Sequence, residues 1–124
     1  MDDSSSPPMG WGREERAIKR VGFLLKVKEP MLEEYKRHHR AVWPDMLDAL
    51  SRNGWHNYSL FMRDDGLLFG YFEADESFQA SLDGMSKEEA NRLWQELMAA
   101  YFEVPEGALP DQSMIELEEV FHLD

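Results

Sequence analysis

The spacing of apolar residues switches along this chain between a step of two and steps of three and four, and this succession limits the fold more than any other feature. Val21, Phe23, Leu25 and Val27 alternate with Gly22, Lys26 and Lys28, the two-residue period of a strand, with Leu24 an apolar exception on the second face. Met31, Leu32, Tyr35, His39, Val42, Met46, Leu47 and Leu50 then recur at helical steps, with Pro30 suited to the first turn. Pro44 lacks an N–H and restricts Trp43, so the helix should kink or restart there, and Asn53-Gly54 reads as its end. Two short apolar runs, Asn57 to Arg63 and Leu67 to Glu73, are joined by Asp64-Asp65-Gly66, which is hairpin chemistry. Asp75 can cap a short helix carrying Phe78 and Leu82. Ser86 with Glu89 has the spacing of a capping box, and opens a stripe of Ala90, Leu93, Trp94, Leu97, Met98 and Tyr101. Ile115, Leu117, Phe121 and Leu123 close the chain as a strand.

Strand, helix, strand, strand, helix, strand is the ferredoxin-like order: an α+β fold, βαββαβ, with a four-stranded antiparallel sheet and its helices on one face. Leu24, Phe61 and Val120 fall on the opposite face, so both faces carry apolar side chains. A second sheet from another copy would bury the uncovered face, which predicts a homodimer of the dimeric α/β-barrel type. At 124 residues the chain has room for one core, assigned to residues 18–124. Residues 1–17, with paired Asp, three Ser, Pro7, Pro8 and the pairs Glu14, Glu15 and Arg13, Arg16, cannot bury enough apolar area to offset chain entropy and read as a disordered tail.

The formal net charge of -12 argues against a phosphate backbone or anionic membrane as partner, because both are bound through Lys and Arg. The acidity is uneven: Met1 to Arg52 holds 10 bases and 9 acids, whereas Asn53 to Asp124 holds 3 bases and 16 acids. No apolar run is long enough to span a bilayer and the start lacks a signal-peptide core, which predicts a cytoplasmic protein. With no cysteine, any chemistry must come from His, carboxylates, Tyr or Arg.

Tyr35, His39 and Trp43 stand at i, i+4 and i+8, and on a regular helix they would stack along one side. A phenol, an imidazole and an indole in a row can surround a small polyhydroxylated ligand, although an aromatic stripe at this spacing is also the ordinary signature of a core. His39 is the natural acid–base group, since imidazole titrates near neutrality; His38 points elsewhere and reads as solvated. Tyr58 shares a strand face with Leu60 and Met62, so its hydroxyl needs a partner there, and Trp94 is central in the last helix. The adjacent His38 and His39 diverge, and there is no HExxH, glycine-rich phosphate loop or GxSxG, so neither a metal nor a cofactor is expected.

The segment Tyr35-Lys36-Arg37-His38-His39-Arg40-Ala41-Val42-Trp43-Pro44-Asp45-Met46 resembles the YxxxHxxxWPE segment of the L-rhamnose mutarotases. The resemblance continues through Gly54-Trp55-His56-Asn57-Tyr58-Ser59, Leu67-Leu68-Phe69, Pro110-Asp111-Gln112-Ser113 and Glu119-Val120-Phe121-His122-Leu123. It implies a dimeric ferredoxin-like protein that interconverts the α and β anomers of a deoxyhexopyranose without a cofactor. By position His39 matches the family's proton-donating histidine, Tyr35 and Tyr58 its sugar-binding tyrosines, and Trp94 the second of a tryptophan pair. Leu93 stands where the first tryptophan would be, Arg40 replaces a common polar neighbour of the histidine, and the loop between Trp94 and Pro110 is longer than usual. The expected wall around the sugar is thus Tyr35, Trp43, Tyr58, Leu93 and Trp94.

Such a reaction asks for a proton on the ring oxygen and removal of the anomeric hydroxyl proton. One imidazole can act as donor and then base; water, Tyr58 or a carboxylate such as Asp111 could be the second group. Two rivals share the fold: a cofactor-free monooxygenase, which would take up O₂, and a non-catalytic small-ligand-binding dimer in which His39 is structural.

Overall fold

The computed structural model describes residues 18–105 and 107–124; the expected N-terminal tail lies outside them. Strand β1, Lys19–Lys26, buries Val21, Phe23 and Leu25 on one face, as its alternation predicts, and Val27 continues that face in an isolated bridge to Phe102. Glu29–Met31 forms a 3-10 turn begun by Pro30, and leads into α1, Leu32–His39. The helix stops short of Trp43, whose φ of -59° and ψ of 137° is the extended backbone favoured before proline, and α2, Pro44–Arg52, restarts with the proline in its first turn.

Gly54, with φ of 79°, ends this segment and delivers the chain to β2, His56–Met62. A hairpin through Gly66, φ 96°, returns as β3, Leu67–Ala74. Helices α3, Phe78–Met85, and α4, Glu89–Met98, follow, then 3-10 turns at Ala99–Tyr101 and Pro110–Gln112 and a short β4, Ile115–Leu117. The sheet order is β2-β3-β1-β4, with β3 antiparallel to β2 and to β1, and β1 antiparallel to β4. This is the ferredoxin-like arrangement expected, with helices on one face.

The centre of the core is an aromatic cluster. Phe23, with no exposed surface, stacks on Phe78 with ring centroids 5.8 Å apart, and Trp55 stacks on Phe72 at 3.9 Å. Phe23 pairs across β1 and β3 with Gly70, and a Cβ at Gly70 would overlap the Phe23 ring. Glycine is therefore required there by close approach.

Four local expectations are corrected. Ser77, not Asp75, caps α3, accepting from the Ala80 N–H at 3.0 Å, while Asp75 pairs with His56 at 3.0 Å. Ser86 and Glu89 form no capping box: Ser86 donates to the Asp83 carbonyl at 2.7 Å, and Glu89, already inside the helix, pairs with Arg92. The buried face of α4 is Asn91, Trp94, Gln95 and Met98, because the two amides find partners inside. The last strand stops at Leu117; Phe121 and Leu123 are 78% and 80% exposed, since β4 pairs with only Gly22, Phe23 and Leu24 before the chain leaves the sheet.

Replacing Gly70 with Ala should overpack Phe23 and lower stability by about 1–3 kcal/mol. Chemical denaturation should show a lower midpoint with an unchanged slope.

Candidate active site

The break between α1 and α2 decides what the aromatic row becomes. Tyr35 is buried on α1, and the His39 ring, one turn on at the helix end, stacks over it with centroids 4.1 Å apart. Trp43 leaves the row, because the chain is extended before Pro44, and meets Trp94 edge to face at 5.0 Å. Trp94, from α4, also meets His39 edge to face at 5.3 Å. His39 and Trp43 thus meet on Trp94, while Tyr35 lies beneath the His39 ring and against Phe102.

His39 Nδ1 lies 3.0 Å from the backbone carbonyl oxygen of Tyr35. A carbonyl only accepts, so the proton sits on Nδ1 and the lone pair of the neutral ring is on Nε2. Burial lowers the His39 pKa from 6.5, opposed by the bond to Tyr35 and aided by His38. Burial raises the phenols of Tyr35, which Tyr58 also raises, and of Tyr58. Both stay protonated at neutral pH and are hydroxyl donors there, not bases.

Between α2, α4 and β2 is a cavity of about 370 Å³, within the range of small-molecule sites. His39, Tyr58 and Trp94 line it, with Met46 and Leu50 of α2 and Trp55 on its apolar side. A β-bulge between His56 and Ser59, marked by Asn57 at φ 51°, interrupts the register just where Tyr58 projects. A smaller cavity of about 50 Å³ shares His39, Tyr58 and Trp94 and adds Tyr35. Trp43 backs Trp94 from outside the lining, and Leu93, 44% exposed, lies outside it too.

Three polar residues complete the wall. Gln95 donates to Asn91 Oδ1 at 3.2 Å, Asn91 donates to Asp111 Oδ2 at 3.2 Å, and the Asp111 N–H donates to Gln95 Oε1 at 3.0 Å. This closed ring of bonds ties the turn at Pro110–Gln112 to α4. Asn91 and Gln95 were not evident as site residues, because amides on an amphipathic helix read as its wet side; their i, i+4 spacing beside Trp94 and Met98 was the available signal. Among the described residues no group of three or more His, Asp or Glu is arranged to hold a metal ion, and no helix is long and apolar enough to cross a membrane.

Residues 20–123 match the sequence profile of the L-rhamnose mutarotases. The chain belongs to the L-rhamnose mutarotase family. Mutarotases are carbohydrate isomerases. An L-rhamnose mutarotase of Oceanobacillus iheyensis is 32% identical over 108 residues, which is 86% of this chain and all of that one. One from Tolumonas auensis is 35% identical over 109 residues, covering 84% of this chain and 97% of its own length. The crystal structure of an L-rhamnose mutarotase from Formosa agariphila superposes with a TM-score of 0.70 at 28% identity, over 86% of this chain and 99% of that one. Within this mutarotase fold the cavity lies under the two helical segments and against β2, on the helix-covered side of the sheet.

Because burial depresses His39, the unfolded chain binds more protons than the folded one below pH 6.5. The stabilising contribution of the neutral ring is complete above 6.5 and is lost as the pH falls through the lower, folded value. Denaturation measured from pH 7 downward should show His39→Leu losing less stability than the unsubstituted protein.

Proposed function

We propose that this chain interconverts the α and β anomers of L-rhamnose or a related deoxyhexopyranose, with His39 as the proton-transferring group. The observation that carries this reading is the imidazole itself: half-buried on the wall of a cavity of about 370 Å³, its Nδ1 held by a main-chain carbonyl and its Nε2 left for a ligand. Ring opening breaks the C1–O5 bond and makes C1=O1, with a proton delivered to O5 and another removed from the O1 hydroxyl. His39 in its imidazolium form gives its Nε2 proton to O5 and, as the neutral ring, recovers it when the chain closes on the other face of C1. Trp94 supplies an apolar surface for a sugar face, and the protonated hydroxyls of Tyr35 and Tyr58 are donors to sugar oxygens. The names and close coverage of the relatives support L-rhamnose as the sugar.

The domain so used runs from residue 18 to 124, and the proposal includes a cytoplasmic location, where a free sugar meets enzymes that accept one anomer. It also includes a homodimer. Phe61, Phe69, Leu24 and Ile115 stand opposite one another across all four strands on the face away from the helices. Phe61 and Ile115 are 61% and 62% exposed in the single chain. A continuous apolar row of this kind supports burial against the same row of a second copy.

Saturation-transfer NMR between the anomeric protons of L-rhamnose should show faster exchange with protein present. His39→Asn should lose about 10²- to 10⁴-fold of that acceleration while keeping its circular dichroism; exchange untouched by the protein for L-rhamnose and related hexoses would refute the activity. In sedimentation, the protein should run at twice its 14.5 kDa chain mass and a Phe61→Glu, Phe69→Lys variant at the chain mass. A wild-type monomer would refute the dimer.

A further inference from the structure

We infer that Asp111 is the second proton-transfer group, taking the anomeric hydroxyl proton as His39 delivers one to the ring oxygen, and that Asn91 and Gln95 are its positioning residues. The inference rests on the mutarotase reading above. Asp111 and His39 line the same cavity of about 370 Å³ from different elements, His39 from the end of α1 and Asp111 from the turn at Pro110–Gln112. The phenols are poor candidates for the base, since burial holds their protons on.

The surroundings of Asp111 orient one carboxylate oxygen and leave the other. Oδ2 accepts from Asn91, and the Asp111 N–H is held by Gln95, whose own amide closes the ring to Asn91. Asn91 and Gln95 are 4% and 7% exposed, so neither amide is held at the surface by water. The bonds from these two buried amides fix the direction of the Asp111 carboxylate as well as the position of its turn, which apolar side chains at 91 and 95 could not do. Oδ1 takes no hydrogen bond from another side chain among the described residues, and Asp111 also borders an outer groove of about 580 Å³ reached past Asn91. The carboxylate therefore sits between the cavity and the outer groove.

The titratable and charged groups about it are His39 of α1 and Tyr58 of β2 on the inner cavity, and Asp83 of α3, Arg92 of α4 and Glu116 of β4 on the groove. Arg92 is engaged by Glu89 and Glu96. The step balances: O1 loses its proton to Asp111 Oδ1, the O1 electrons form C1=O1, the C1–O5 pair goes to O5, and O5 takes the Nε2 proton of His39. Closure on the other face returns both protons. The active pair thus carries one proton between imidazole and carboxylate, and the rate should fall on the acid side when both are protonated and on the alkaline side when neither is.

The test is anomeric exchange of L-rhamnose against pH and sugar concentration for the full chain, Asp111→Asn and Asn91→Ala. Asp111→Asn keeps the shape and an oxygen for Asn91 to donate to. It should lower the saturated rate by about 10²-fold with little change in the half-saturating sugar concentration, and should lose the fall on the acid side. Asn91→Ala should keep a bell-shaped profile with a lower maximum. If Asp111→Asn weakens sugar binding without lowering the saturated rate, or keeps the acid-side fall, Asp111 is a hydroxyl anchor or a loop clamp and the inference is overturned. If the wild-type protein accelerates no exchange, it is the mutarotase reading that fails. Should Asp111→Asn not fold, Asn91→Ala decides: an unchanged rate and profile would overturn the inference.

Discussion

A helix that ran unbroken from Leu32 to Arg52 would carry Tyr35, His39 and Trp43 on one side and pack all three into the sheet. Pro44 prevents this. It supplies no N–H to the preceding turn and forces Trp43 into an extended backbone, so α1 ends at His39 and α2 sets off anew. The imidazole is left at a helix end, where its own helix covers one side and the other is open to a cavity. Trp43, turned away from the row, becomes the support behind Trp94. The position of the site, its aromatic wall and the face of α2 that closes it follow from this one interruption.

The sheet below has a complementary task. Phe23 fills the space over Gly70, and the cluster of Phe23, Trp55, Phe72 and Phe78 gives the helices a rigid floor. Trp55 belongs to that floor and to the cavity at once, with its indole N–H donated to the Ser81 carbonyl at 3.2 Å. One indole thus joins the packing of the core to the wall of the cavity.

Much of this was legible in the sequence, because the elements are short and their apolar periods switch cleanly at Pro44, Gly54 and Gly66. The restart at Pro44 could be read from steric rules alone. The grouping of Tyr35, His39, Tyr58 and Trp94 was implied by the family resemblance but not by periodicity: their meeting depends on which way α4 is rolled, and Asn91 and Gln95 face inward there, against the usual rule for amides. The stripe Ala90, Leu93, Trp94 predicted a roll that leaves Leu93 inside, whereas the hydrogen bonds to the turn at Asp111 favour the other. Likewise Ser77 displaced Asp75 as a cap and the terminal strand ended early, since both outcomes are decided by partners distant in sequence.

The bond from His39 Nδ1 to the Tyr35 carbonyl has one more consequence. Its acceptor is a main-chain atom one turn earlier in the same helix, so no side-chain replacement at position 35 deletes it. Sequence drift can change the ring that stacks beneath the imidazole, and with it the shape of the pocket, while the direction in which the imidazole presents its lone pair is inherited from the helix. Substrate preference and proton polarity are in this sense separately heritable: the first is written in side chains, the second in backbone.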